Sequence, residues 1–286
     1  MILIGWRKDR TLAYLNAGLV SLGSAPQVLW IEELLATPVE EWKAKFDALR
    51  TNREQTHRIY VRWIIPEGLN SESRDKLRKF QCLLNEIPRD RICNSPNSNA
   101  SNGSKFVHIL KFAQFASRFR VRVPRSVISN NPAELQSAAT SEIPHVLKGA
   151  SALKSICSEL LPEHLDKAAS ATRVVYLLQE RVFGPDVRVH LTSKEYVAEL
   201  AVSNEVDYRF AKQKKFSQVQ LPADVLHFSL ECLISEGLQF AGLDFKVSQD
   251  GVWYFLEVNG SPAFQGYDRR SNGRILQMLR DWLDAQ

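Results

Sequence analysis

Long apolar runs are missing from this chain. No stretch approaches the roughly 18 to 20 consecutive apolar residues of a membrane helix, and no charged, apolar and small-residue order of a secretion signal follows Met1. A cytoplasmic protein without a membrane partner is the expectation. Cysteine is scarce as well. Cys82, Cys93, Cys157 and Cys232 are scattered, with no CxxC pair and no His beside them at metal-ligand spacing. That excludes a zinc site and a disulfide framework, and four buried, inert thiols are expected. Neither a Ser-His-Asp nor a Cys-His constellation is present, and His108, His145 and His190 sit in apolar contexts that read as packing. The two commonest phosphate-binding loops, GxxxxGK[ST] and GxGxxG, are also absent. Charge of one sign does not dominate: 37 basic against 32 acidic residues leave +5 and a pI near 9.0. The basic residues are spread along the chain, which excludes a nucleic-acid stripe and suits a phosphate-bearing small ligand or an acidic substrate.

What is present is the balance of a folded α/β protein: 286 residues, 44% hydrophobic and 24% charged. At this length one core stops growing, so two or three sub-domains around a cleft are expected. Strands at Met1–Gly5, Val28–Ile31 and Arg58–Ile65 alternate with helical patterns at Thr11–Leu22, Trp42–Leu49 and Arg74–Leu84. This βαβ order implies a parallel sheet. The polar run Asn94–Ser104 then precedes a helix from Lys105 to about Phe119, and reads as a ligand loop at a boundary. Further on, one strand is expected over Val121–Ser129, a helix over Pro132–Ala139 and a strand over His145–Lys148, then a loop over Gly149–Ser155, a helix, and a strand over Val174–Gln179. Two more strands, VRVHL and YVAELAV, lead to a basic loop at Lys212–Lys215, a helix over Ala223–Gly237, a hairpin over Ala241–Asn259 and a closing helix over Arg274–Ala285.

The hairpin carries the chemistry. Asp250-Gly251 is a two-residue turn signal, and closing on it pairs Gln249 with Val252 and hence Asp244 with Glu257. Their Cβ atoms would lie roughly 5 Å apart, with Asn259 two residues on along the same face and Leu243, Phe245, Leu256 and Val258 on the other. Facing carboxylates repel unless a cation sits between them, one stays protonated, or the face is open to water. Asp, Glu and Asn oxygens without His or Cys suit Mg²⁺ that keeps waters and phosphate oxygens. Upstream, Asp186 and Arg188 alternate onto one side of a strand after the Gly184-Pro185 turn. Lys148 ends a strand before the small-residue loop GASALKS, which offers backbone N–H groups to phosphate.

Taken in order, these segments resemble a family over essentially the whole chain. Ser104-Lys105 at a helix start, Lys148 before its loop, Gln179-Glu180, GPDVRVH at 184–190, Asp207-Tyr208-Arg209, AGLDF at 241–245 and LEVNGSPAF at 256–264 are similar to the ATP-grasp ligases, in particular the RimK-like branch and the related ribosomal-peptide maturases. The resemblance implies an α/β (α+β) ATP-grasp fold, with a βαβ substrate domain over 1–104, a central lid sub-domain over 105–180 and a C-terminal sub-domain with the metal site over 181–286. It implies that Lys105 and Lys148 hold the ATP phosphates, with Lys154 and Ser155 as donors in a loop where only Gly149 remains of the usual glycines. Glu180 and Val182 would flank the adenine and Asp186 would bind the ribose hydroxyls, with Gln179 also among the nucleotide-binding residues. Asp244, Glu257 and Asn259 would bind one or two Mg²⁺ ions, with Mn²⁺ able to substitute. Arg188, Arg209 and Asn259 would serve the transferring phosphoryl group.

The implied activity is an ADP-forming carboxylate–amine ligase working through an acyl phosphate. Phosphorylation turns a poor leaving group into a good one, and the protein supplies positioning and charge neutralisation rather than a nucleophile. Its partners would be ATP, a carboxylate, and an amine on an amino acid, peptide or protein tail, with no nucleic acid. Self-association is left open. The stretch after the EVN triplet tilts the reading toward the RimK-like side. The alternatives are a maturase closing macrolactam or macrolactone rings and a nucleotide-binding protein that has lost catalysis.

Overall fold

The computed structural model describes residues 1–51, 57–66, 68–97, 105–139, 143–149, 158–159, 175–203, 205 and 211–285. Its first sheet is parallel, in the order β2-β1-β3-β4, with β1 at Ile2–Gly5, β2 at Gln27–Trp30, β3 at Ile59–Val61 and β4 at Ile92–Cys93. β1 is buried throughout, as a central parallel strand covered on both faces must be. Helix α1 (Arg10–Ser21) starts where the Asp9 carboxylate accepts from the Thr11 and Leu12 amides at 2.8 and 2.9 Å. The strand expected over Val28–Ile31 stops at Trp30, because Ile31 opens α2 (Ile31–Ala36), with Glu32 and Glu33 in its first turn where the helix dipole favours them. α3 (Val39–Thr51) and α4 (Ser71–Asn85) follow. Trp42, Phe46, Trp63 and Phe80 pack between these helices and the sheet.

Beyond residue 104 the chain forms α5 (Lys105–Ala116), β5 (Val121–Arg122), β6 (Ser126–Ser129), α6 (Pro132–Ala138), β7 (His145–Gly149), β8 (Ser158–Glu159) and β9 (Tyr176–Glu180). The single strand expected over Val121–Ser129 is two strands. Pro124 interrupts it; β5 runs parallel to a strand of a six-stranded sheet, whereas β6 joins β9, β7 and β8 in an antiparallel sheet ordered β6-β9-β7-β8. α5 goes with β5: Phe112 and Ala116 are buried in the core of the six-stranded sheet. The helix expected after the loop at 149–155 lies outside the described residues.

The six-stranded sheet is completed by β10 (Asp186–Leu191), β11 (Tyr196–Val202), β12 (Lys215–Gln218), β13 (Ala241–Val247) and β14 (Trp253–Asn259), in the order β12-β11-β10-β13-β14-β5. Helix α7 (Ala223–Glu236) and α5 cover one face, where Val187, Val189, Phe228, Leu243, Phe245 and Phe255 make the core. Two helices close the chain, α8 (Gln265–Arg270), which the sequence pattern did not show, and α9 (Arg274–Asp284). α9 packs with α1, Leu3, Phe240 and Phe264 in a core shared between the first and last parts of the chain. Of the cysteines, Cys93 and Cys232 are buried as expected, Cys82 is exposed, and Cys157 lies outside the described residues.

The hairpin departs from expectation twice, and the departures cancel. It closes on the three residues Gln249-Asp250-Gly251 rather than on two: the Gly251 amide donates to Ser248 O at 2.9 Å, and Ser248 N to Val252 O at 3.0 Å. Gly251 takes the left-handed conformation that ends such a loop, φ +78°. This offset persists through Val247↔Trp253 and Phe245↔Phe255, until a bulge at Leu256 restores the expected register at Asp244↔Glu257, Leu243↔Val258 and Gly242↔Asn259. The bulge places Phe255 in the core and leaves Leu256, expected there, half-buried.

Candidate active site

The face of the six-stranded sheet opposite the core is built of charge. Register puts Glu199 of β11, Arg188 of β10, Asp244 of β13 and Glu257 of β14 side by side in one row. Arg188 Nη1 donates to Asp244 Oδ1 at 2.7 Å, with the two side chains 9% and 26% exposed. Burial pushes the Asp244 carboxyl above the usual carboxylate range. The Arg188 charge opposes that shift, and Glu257 across the ladder adds to it by charge and by a hydrogen bond. The facing carboxylates are therefore not simply solvated: a cation of the chain itself lies against one of them, and that one holds its proton more tightly than usual. Glu199 is buried and takes a two-pronged contact from Arg270, with Nε to Oε2 at 2.8 Å and Nη2 to Oε1 at 2.6 Å. The Arg270 guanidinium also stacks on Phe216, 3.9 Å from the ring centre.

One pair of residues toward the hairpin tip, Asp186 lies opposite Lys246, and Lys246 Nζ reaches its carboxylate at 3.0 Å. Beyond them, Glu180, Arg181, Val182 and Phe183 face Ser248, Gln249, Asp250 and Tyr254 across a cleft of about 360 Å³. Gly184, φ +139°, lets the chain leave this cleft against β13, since a Cβ there would lie 2.9 Å from the Val247 carbonyl carbon. Away from the tip, Asn259 lies opposite Gly242, and its Oδ1 accepts from Ser261 N at 2.8 Å. There His190 closes the row, fully buried against Tyr267 and Phe240. Its ring nitrogens have no hydrogen-bond partner of good geometry among the described residues. Burial, with the Arg188 charge second, holds its pKa well below the ordinary imidazole value.

The expected site residues thus separate into groups. Glu180 and Val182 line the cleft; Asp186, Arg188, Asp244, Glu257 and Asn259 follow along one sheet face. Lys148 and Gln179 meet in the neighbouring sheet, Nζ to Oε1 at 2.9 Å, and Gln179 Nε2 in turn reaches Ser126 Oγ at 3.0 Å. Glu180 is engaged by Arg125 at 2.8 Å. Lys154, Ser155 and Arg209 lie outside the described residues, as does the Lys105 side chain. Sequence reasoning missed Lys246, which alternation from Asp244 could have found, and Arg270, whose helix was not foreseen. Asn94, expected to open a ligand loop, is instead buried between the sheets.

Two carboxylates and a carboxamide are not a cage. No group of three or more His, Cys, Asp or Glu able to hold a metal ion alone occurs among the described residues. Such a partial oxygen set fits Mg²⁺ that completes its shell from water and phosphate.

The chain matches no family model and no curated protein. Solved structures align over nearly its whole length. The ATP-grasp ligase PsnB, complexed with a phosphomimetic variant of a minimal precursor, Mg and ADP, aligns with a TM-score of 0.76 at 19% identity, covering 99% of this chain and 98% of that one. The macrocyclase MdnC of Microcystis aeruginosa MRC, bound with precursor peptide MdnA, gives 0.72 at 14% identity, covering 99% and 98%. D-alanine–D-alanine ligase of Bacillus anthracis, complexed with ATP, gives 0.58 at 14% identity, covering 98% and 94%. The fold is ATP-grasp.

Proposed function

We propose that the protein is an ATP-dependent, ADP-forming ligase that activates a carboxylate of a peptide and joins it to an amine. The observation that carries this reading is the order along one sheet face: the cleft at Glu180–Phe183, then Asp186, then Arg188 with Asp244 and Glu257, then Asn259. A base in the cleft would direct its ribose to Asp186 and its phosphates to the carboxylate row. Asp244, Glu257 and Asn259 would hold Mg²⁺, which when bound neutralises charge on the phosphates. Arg188 stands beside that position on a rigid strand, ready to receive the transferring group. The γ-phosphoryl group passes to a carboxylate oxygen as ADP leaves. The amine then attacks the carbonyl carbon, the carbon–oxygen bond to phosphate breaks, and an amide and inorganic phosphate result.

A peptide as the carboxylate donor is favoured by two things. PsnB and MdnC are each seen in complex with a precursor peptide, and the exposed Lys212, Lys214 and Lys215, which lead into β12, give an acidic segment a place to lie. This moves the preference from a RimK-like tail-modifying enzyme toward a maturase that closes rings within a peptide. ATP dependence suits a cytoplasmic location. The test is ADP release across a panel of acidic peptides and free amino acids, with mass spectrometry of the products. Loss of water from a peptide with matching ADP release supports the reading. Tight nucleotide binding without turnover on any peptide or amino acid would instead favour a silent nucleotide-binding protein.

A further inference from the structure

The first sheet holds the metal hairpin by its open end. Asn94, immediately after β4, is 3% exposed and makes every hydrogen bond an amide side chain can make. Its Nδ2 donates to Phe240 O and Gly260 O, both at 2.6 Å, and its Oδ1 accepts from Gln239 N at 2.8 Å and Phe240 N at 3.4 Å. Phe240 directly precedes β13, which carries Asp244; Gly260 directly follows β14, which carries Glu257 and Asn259. One side chain thus bridges the two strand ends. Arg62, just past β3, grips the next two carbonyls: Nη1 donates to Ser261 O and, at 2.9 Å, to Pro262 O, while Nε pairs with Asp9 at 3.0 Å. Both the Arg62 and the Asp9 side chains are under a tenth exposed. Three consecutive carbonyls after Asn259 are therefore held by two side chains of another sheet. The same loop supplies the Ser261 amide that orients the Asn259 carboxamide, and its Pro262 lies over Gly242 beside the Arg188 guanidinium.

We infer that Asn94 and Arg62 are positioning residues for the Mg²⁺ site, setting the aim of Asn259 and the spacing of Asp244 and Glu257 without touching metal or nucleotide. The inference rests on the ligase reading. Groups that orient metal ligands are worth about 10- to 100-fold in metal affinity, and a ligand shell left loosely supported loses its geometry first.

The test is Mn²⁺ binding to the full-length protein saturated with ADP, followed by the electron paramagnetic resonance signal of the free ion, alongside ADP binding without metal. Asn94→Ala and Arg62→Lys should each weaken Mn²⁺ binding about tenfold or more and leave metal-free ADP affinity within about twofold. Arg58→Gln is the control, since Arg58 links the same sheet to the C-terminal helix through Trp282 O at 2.7 Å and leaves the loop alone. Its Mn²⁺ affinity should match wild type. Unchanged Mn²⁺ affinity in Asn94→Ala, or an equal loss in Arg58→Gln, would overturn the inference while the ligase reading stands. A wild-type protein that binds no Mn²⁺ with ADP would overturn both. Should Asn94→Ala fail to fold, Arg62→Lys decides on the same readings, because it keeps a charge for Asp9 and gives up the grip on the carbonyls.

Discussion

Replacing Arg188 with methionine removes the cation of the carboxylate row while keeping most of the side-chain volume. Removing one partner of a buried ion pair costs about 3 to 5 kcal/mol, because the other charge stays buried without compensation. Asp244 retains 26% of its side-chain exposure and so keeps some hydration; we expect about 2 to 3 kcal/mol for the metal-free protein at neutral pH. At about 2 to 4 °C per kcal/mol, the melting temperature should fall by roughly 4 to 12 °C.

Two further measurements separate charge from packing. Asp244 already holds its proton more tightly than an ordinary carboxyl, and Arg188 works against that. Without Arg188 the folded-state pKa rises further above the unfolded one. The folded variant then binds a proton the unfolded chain does not, so its stability falls as pH rises through the interval between the two values. The deficit relative to wild type should therefore widen from pH 5 to pH 8 in thermal melts. Asp244→Asn placed on top of Arg188→Met should recover most of the loss, since it removes the stranded charge. A deficit that is the same at both pH values and in the double variant would show that Arg188 contributes packing alone.

Three other outcomes are expected. Glu257→Gln should lower steady-state ADP release by at least about a hundredfold while nucleotide affinity changes only severalfold, because charge stabilisation on the transferring group is worth several kcal/mol; wild-type turnover at saturating Mg²⁺ would refute the assignment. Gly242→Ala puts a Cβ 2.7 Å from Arg188 Cζ and 2.8 Å from Pro262 Cβ. It should cost about 1 to 3 kcal/mol of stability and depress turnover as Arg188→Met does, and a fully active variant would show that the loop yields freely. His190 is kept neutral in the folded state, so the unfolded chain takes up a proton first and stability is lost as pH falls through the ordinary imidazole range, by up to about 1.4 kcal/mol per pH unit. His190→Leu should flatten that acid-side slope in denaturant titrations at pH 7.5, 6 and 5, and identical slopes would remove His190 as its source.

The hairpin shows how far a sequence can be read and where it stops. Asp250-Gly251 marks the turn because glycine tolerates positive φ, but nothing local separates a two-residue from a three-residue loop. That difference would have moved every pair by one place, had the bulge at Leu256 not moved them back. Asp244 and Glu257 were placed correctly for a reason only half understood from the sequence. Lys246 was within reach of simple alternation. Arg62 and Asn94 were not, since the carbonyls they hold lie 146 to 200 residues further along. Which carbonyl a buried amide meets is decided by the docking of two sheets, and no period in the sequence carries that information. Pro124 is the converse case, a local signal legible in the sequence that sends the flanking strands to different sheets.

A fold that brings Asp244 and Glu257 face to face must lower the cost of their repulsion, and two means are visible. Arg188 donates to Asp244, and the Asp244 carboxyl binds its proton more tightly than usual. Both ease the repulsion along the row, and the first is reversible: a guanidinium can exchange a carboxylate oxygen for a phosphate oxygen. On the ligase reading, the group that steadies the row is then the one that meets the transferring phosphoryl group, already desolvated and already aimed, so little reorganisation is left for the reaction itself.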